Sequence, residues 1–188
     1  MTISIHQPNF FPYYPFFQKM QQSDVFVIMS HCQFEKGGYQ NRFNIGEDWF
    51  TMSTGHGLEA INLKEYITPI LDFNDIKKAL PKYSQILNQF DFCAHDNLFM
   101  MNACVITKLA QNLGIRTKIV HDYPTVLTGT ARLVHLCQNY GASKYLSGIS
   151  GKKYLDISLF EKAGIEVIFQ NEETMIKKPI LEVLHEKL

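Results

Sequence analysis

Two short stretches carry residue types that could do chemistry. The first is His6-Gln7-Pro8-Asn9, which closes an alternating run over residues 2–6 that reads as a strand. Ligands of open α/β sheets bind at the carboxyl ends of strands, so a histidine and an amide on such a turn can contact a phosphate oxygen or hold a nucleophile. The plainer alternative has His6 closing the strand and Asn9 making a turn hydrogen bond. The second stretch is Tyr145-Leu146-Ser147-Gly148-Ile149-Ser150-Gly151-Lys152-Lys153-Tyr154. Here Gly148 and Gly151 let backbone N–H groups approach an anion, Ser147 and Ser150 add donors, and Lys152 adds charge. It is no P-loop, since G-x-x-x-x-G-K-[ST] is absent, and a plain strand–helix turn with solvated lysines is the alternative.

Two further polar groups join these. Arg132 opens a helix after Thr128-Gly129-Thr130 and is poised for bidentate contact with phosphate or carboxylate, and Asn41-Arg42 forms a second polar pair. Each is otherwise an ordinary surface group. His31, His56, His95, His121 and His135 have no partner at catalytic spacing and read as ordinary polar or half-buried residues. Cys32, Cys93, Cys104 and Cys137 lie far apart without a CxxC pair, which predicts free, buried thiols in a reducing cytoplasm. Neither a metal site nor a cofactor motif is evident.

The elements that must position these groups follow from periodicity and punctuation. Pro12 and Pro15 start a helix that ends by Ser23, and Val25–Met29 is a continuous apolar run, as expected for a strand buried on both faces. Residues 43–45 and 49–53 form a hairpin around Gly46. Asn74 or Asp75 caps a helix to about Leu80, and a longer helix runs from about Asp96 to Asn112, stopped by Gly114. Strands over 117–120, 144–146 and 166–170 alternate with helices over 130–140 and 155–163. This alternation predicts an α/β fold, a Rossmann-like three-layer sandwich with a mostly parallel or mixed sheet and a helical middle segment. Residues 1–170 read as one domain and 171–188 as a peripheral helix or tail.

Composition limits the function classes. The chain has 188 residues, with 18 Lys+Arg against 18 Asp+Glu, and is 46% hydrophobic and 13% aromatic. That is too apolar for a disordered protein, and its balanced charge excludes a polybasic binder that grips DNA or anionic lipid by bulk electrostatics. Neither a signal peptide nor a membrane-spanning segment is expected, which predicts a cytoplasmic protein without membrane insertion.

The first-strand turn is similar to the H-x-x-H turn of Rossmann-like nucleotidyltransferases, with Asn9 in the last place. A longer resemblance covers residues 3–170. His6-Gln7-Pro8-Asn9-Phe10-Phe11-Pro12-Tyr13, Phe16-Phe17-Gln18-Lys19-Met20, Ser23-Asp24-Val25-Phe26-Val27, Gln33-Phe34 and Asn41-Arg42 resemble the opening of the WbqC-like family. Leu113-Gly114-Ile115, Arg132-Leu133, Tyr145-Leu146-Ser147-Gly148, Gly151 and Tyr154-Leu155-Asp156 continue it. The resemblance implies an enzyme that transfers glycine or another amino acid onto a phosphate-activated acceptor. That acceptor is a nucleotide-linked amino sugar of surface-polysaccharide (O-antigen) synthesis, or an activated thymine derivative in bacteriophage DNA.

On this reading His6 is the base or phosphate donor, oriented by Asn9 and Asn41. Arg42, Arg132, Ser147, Gly148, Ser150, Gly151 and Lys152 hold the acceptor. The alternative is a non-catalytic module that binds a nucleotide sugar or nucleic acid, with the opening aromatics stacking bases, and a homo-oligomer is compatible with either. Two departures from the family pattern stand out. Relatives carry D-x-V-Q-F after the second strand, where this chain has Met29-Ser30-His31-Cys32-Gln33-Phe34, so the acid is lost or replaced by His31. Residues 171–188 resemble the family's aromatic end poorly.

Overall fold

The computed structural model describes residues 1–188. β1 (Thr2–His6), β2 (Val25–Ile28), β5 (Lys118–His121), β6 (Lys144–Ser147) and β7 (Glu166–Phe169) form one sheet in the order β5-β2-β1-β6-β7. Every pairing in it is parallel. The first three strands therefore build outward on one side of β1 and the last two on the other, the Rossmann order, which reverses between β1 and β6. β3 (Arg42–Ile45) and β4 (Asp48–Thr51) make a separate antiparallel hairpin.

Side-chain alternation on β2 shows how the sheet is covered. Val25 and Val27 face a core with Ile3, Ile5, Leu133, Cys137, Tyr145 and Phe160, drawn partly from α5 (Gly129–Asn139) and α6 (Ile157–Lys162). Phe26 and Ile28 face the opposite core, shared with α1 (Tyr14–Gln21), α2 (Pro69–Ala79), α3 (Ser84–Leu87), α4 (Leu98–Asn112) and α7 (Ile180–His185). A strand with both faces buried must be apolar throughout, and β2 is. The result is the expected three-layer α/β sandwich, its sheet wholly parallel. No helix is long and apolar enough to cross a membrane.

Three local expectations need correction. The helix expected from Asn74 or Asp75 begins at Pro69, whose fixed φ suits the first turn, and Asp72 in that turn accepts from Thr68 and Ser53. Cys93 and Cys104 are joined as a disulfide rather than free, while Cys32 and Cys137 are free. At the end of the chain the helix alternative holds over the tail, but α7 is docked rather than peripheral. Ile180 and Leu181 are 1% and 0% exposed in the aromatic core. Gln18 of α1 bonds both Thr174 and Ile176, and the Tyr14 amide donates to the Lys178 carbonyl. Sequence reading missed this because four apolar residues between charged ones look the same whether solvated or docked.

The larger core is built on the aromatic opening. Phe10 is fully buried with ring neighbours Phe11, Phe43, Tyr66 and Phe73 at centroid distances of 4.9–6.5 Å. Phe10 and Phe11 therefore fill the interior and are not available to stack bases, whereas Tyr13 and Tyr14 are half-buried. Phe10→Ala is expected to cost about 3–5 kcal/mol, read as a lower urea midpoint at unchanged m-value.

Candidate active site

Parallel strands place their carboxyl ends together, and where the strand order reverses two neighbouring chain exits diverge and leave a crevice. Two cavities occupy this place. The larger, about 860 Å³, is lined by Gln7, His31, Cys32, Thr128, Arg132 and Ser147 among others. The smaller, about 430 Å³, includes Asn9, Tyr13, Tyr39, Asn44 and Gln170. His6, Lys19, Gly148 and Ser150 line both, so they form the partition between the two.

The turn after β1 is fixed from below. Asn102, fully buried in α4, donates to the carbonyls of Pro8 (2.7 Å) and Gln40 (2.6 Å) and accepts from the Tyr66 hydroxyl (2.8 Å). Gln40 Nε2 in turn donates to Gln7 Oε1 at 2.6 Å. His6 Nδ1–H donates to the Gln7 carbonyl at 2.9 Å, which sets the tautomer and leaves the lone pair on Nε2. Burial, helped by the nearby Lys19 charge, lowers the His6 pKa to about 3. His6 is therefore a neutral hydrogen-bonding group at pH 7 rather than a base matched to that pH, which changes the role expected for it.

A second cluster ties three elements together. Asp122, just beyond β5, accepts from the Ser30 amide (2.7 Å), the Ser30 hydroxyl (3.0 Å) and His31 Nδ1 (3.1 Å). The Arg132 guanidinium, in the first turn of α5, pairs with Asp122 and also donates to the His31 carbonyl. With Nδ1 committed, Nε2 is the His31 nitrogen left for a substrate. Arg132 is 6% exposed, and its Nε has no acceptor within the protein. Beside it, residues 128–130 open α5 with no side-chain cap, so first-turn N–H groups meet the cavity unpaired. Gly129 there has φ +54°, a left-handed conformation that glycine adopts without strain. Unpaired helix N–H groups and a buried guanidinium suit an anion. Cys32 also lines this cavity, but burial raises its pKa and keeps it a thiol, a poor nucleophile.

Six of the ten expected site residues meet here: His6, Asn9, Arg132, Ser147, Gly148 and Ser150. Four do not line either cavity. Asn41 spends its amide on the Met52 carbonyl at 2.8 Å, and Arg42 caps the Gly37 and Gly38 carbonyls while stacking 4.1 Å from the Trp49 ring centroid. A Cβ on Gly151 would collide with Ser147 Oγ, so this glycine serves packing, and its N–H is used by the Gly148 carbonyl at 3.0 Å. Lys152 is exposed, its ammonium 5.5 Å from the Phe169 ring centroid. Residues 149–153 form a 3₁₀ turn in which the Gly151 and Tyr154 amides are taken by the Gly148 and Gly151 carbonyls; Gly148 and Ser150 line the cavities, and the start of α5 adds further anion-suited donors.

Sequence reasoning missed Lys19 and Asp122 as site residues, and raised His31 only as a replacement for the family's acid. Lys19 carried a signal, a charge at helical spacing among Phe16, Met20 and Ser23 on the buried face. Asp122 carried a weaker one, a carboxylate just past the end of a strand. No group of three His, Cys, Asp or Glu side chains is placed to hold a metal ion.

Asp122→Ala leaves Arg132 buried without its counter-charge and is expected to cost about 3–5 kcal/mol in denaturant unfolding. The depressed His6 pKa works in a different pH window. The unfolded chain binds more protons than the native one between pH 6.5 and about 3, so His6 removes stability as pH falls through that range. His6→Gln should lose on the order of 4 kcal/mol less than wild type between those limits, measured by urea titrations at each pH.

The comparisons with known proteins give the family. The WbqC-like protein family matches residues 7–177. "Uncharacterized protein Rv1507c" of Mycobacterium tuberculosis (strain ATCC 25618 / H37Rv) is 27% identical over 189 residues, covering 88% of this chain and 80% of its own length. No solved structure matches the chain. With the family match running from the turn after β1 to the segment that precedes α7, the chain belongs to the WbqC-like protein family.

Proposed function

We propose that the chain is a transferase that joins an amine, such as the amino group of an amino acid, to a phosphate-activated acceptor. The acceptor is a nucleotide-linked amino sugar or an activated thymine derivative in DNA. The observation that carries this reading is the larger cavity. It lies where the strand order reverses and presents unpaired helix N–H groups, the unpartnered Arg132 Nε and the Asp122-bound His31.

Each group has a part in such a transfer. The amine nitrogen bonds to the acceptor carbon, the bond from that carbon to the phosphate oxygen breaks, and its electron pair leaves with the phosphate. The start of α5 and Arg132 stabilise the charge that develops on that oxygen. In its imidazolium form, with Nδ1–H donating to Asp122, His31 passes the Nε2 proton to the same oxygen and is left neutral. His6, neutral and fixed by the Gln7 carbonyl, accepts a hydrogen bond at the partition and orients whatever crosses it.

The test is turnover with a panel of amino acids against nucleoside-diphosphate amino sugars and pyrophosphorylated hydroxymethyl-deoxyuridine DNA, followed as release of the phosphate product. His31→Gln is expected to lower kcat by ~100- to 10,000-fold with unfolding close to wild type. Full turnover by that variant would remove His31 from the chemistry, and binding of acceptors without turnover by wild type would favour a binding module. Steep salt dependence of acceptor binding identifies DNA, and a mild one a sugar nucleotide.

A further inference from the structure

The transfer just described requires a group that removes a proton from the amine, and neutral His6 is poorly matched to that task. We propose that Lys19 takes this proton, and that the amine enters through the smaller cavity while the phosphate-activated acceptor occupies the larger. This inference rests on the transferase reading for its substrate, but not for the state of the lysine itself.

The placement is specific. Lys19 projects from α1 and lines both cavities while remaining 3% exposed. Its Nζ donates to the Ile5 carbonyl at 3.1 Å and lies 5.9 Å from the Phe26 ring centroid, with no carboxylate paired to it. Lys64 shows what a structural buried lysine needs. Its residue is 0% exposed, and its ammonium bonds the Gly55 and Gly57 carbonyls at 2.6 and 3.0 Å and Glu59 at 3.0 Å. Lys19 has one carbonyl in place of those three partners.

The surroundings favour an uncharged amine. His6 of β1 is neutral, while burial raises the pKa values of Tyr13 ahead of α1 and Tyr145 of β6, so both remain phenols. Toward the larger cavity, Arg132 and His31 are tied to Asp122, and exposed Glu35 is the one carboxylate among the lining residues. Burial without a counter-ion lowers the Lys19 pKa to about 7, where an amine accepts a proton at neutral pH. In the step, the N–C bond forms, the C–O bond to phosphate breaks with its electrons on oxygen, and one ammonium proton of the attacking nitrogen passes to Lys19 Nζ. Lys19 then carries the positive charge at the partition, beside the departing anion.

The decisive experiment labels the intact protein with trace acetic anhydride across pH 5.5–10.5 and maps acetylated lysines by mass spectrometry. Lys19 labelling is expected to reach half its plateau near pH 7, whereas exposed lysines rise with a midpoint near 10. A midpoint above 9, or no labelling of Lys19, overturns the proposal. In parallel, Lys19→Arg, which keeps the charge but cannot accept a proton, should lower kcat at least ~100-fold without loss of folding, and methylamine should restore part of the kcat of Lys19→Ala. Wild-type kcat in Lys19→Arg overturns the role of Lys19 while leaving the transferase reading intact. Absence of transfer by wild type, with the labelling midpoint still near 7, overturns the transferase reading and leaves the accessible, uncharged lysine established.

Discussion

The buried carboxylate of Asp122 is the constraint on which the candidate site depends. A carboxylate out of water requires several partners, and Asp122, just past β5, draws them from two other places: the chain leaving β2 and the first turn of α5. Satisfying that charge fixes the angle at which α5 meets the sheet. It also leaves the helix start and one edge of Arg132 facing the cavity, so the same interaction that joins the elements creates the anion-suited corner.

The other wall of the site is held by uncharged groups. The Asn102 carboxamide holds the Pro8 and Gln40 carbonyls, which keeps the opening turn in place while its aromatics enter the larger core. Phe11 adopts φ +43°, an uncommon conformation for a side chain of its size, and stays 1% exposed among Phe10, Phe43 and Phe90. Its packed rings offset the cost of that backbone geometry. The density of aromatics in this stretch thus follows from positioning a polar turn that would otherwise be free to move.

The sheet was largely readable from sequence because strand and helix periods differ, and because apolar β2 and the glycines after α4, α5 and α6 mark their own elements. The site was only half readable. His6 and Arg132 could be found because each sits at the end of an element with a recognisable pattern. The His31–Asp122 pair could not, since 91 residues separate its members and only the β2–β5 pairing brings them together. The serine–glycine stretch was only partly readable for a related reason: Ser147, Gly148 and Ser150 line the cavities, whereas Gly151 and Lys152 do not. Gly151 is needed where it stands, but for contact with Ser147 rather than with an anion, and local sequence does not distinguish these two uses of a missing side chain.

Balanced charge also has a local meaning. In the cavities, Arg132 is already matched by Asp122, His6 is neutral, and burial lowers the Lys19 pKa to about 7. The attraction such a site exerts on a phosphate then comes mainly from short-range donors, the first N–H groups of α5 and the free Arg132 Nε, rather than from accumulated charge. Donors of that kind discriminate by position, and they act most strongly on an oxygen whose charge grows during the reaction. In the transfer proposed above, a Lys19 that gains its charge only as the proton arrives would add electrostatic help at the same stage. A permanently charged lysine would instead hold the acceptor equally well before and after, and would contribute less to the difference that sets the rate.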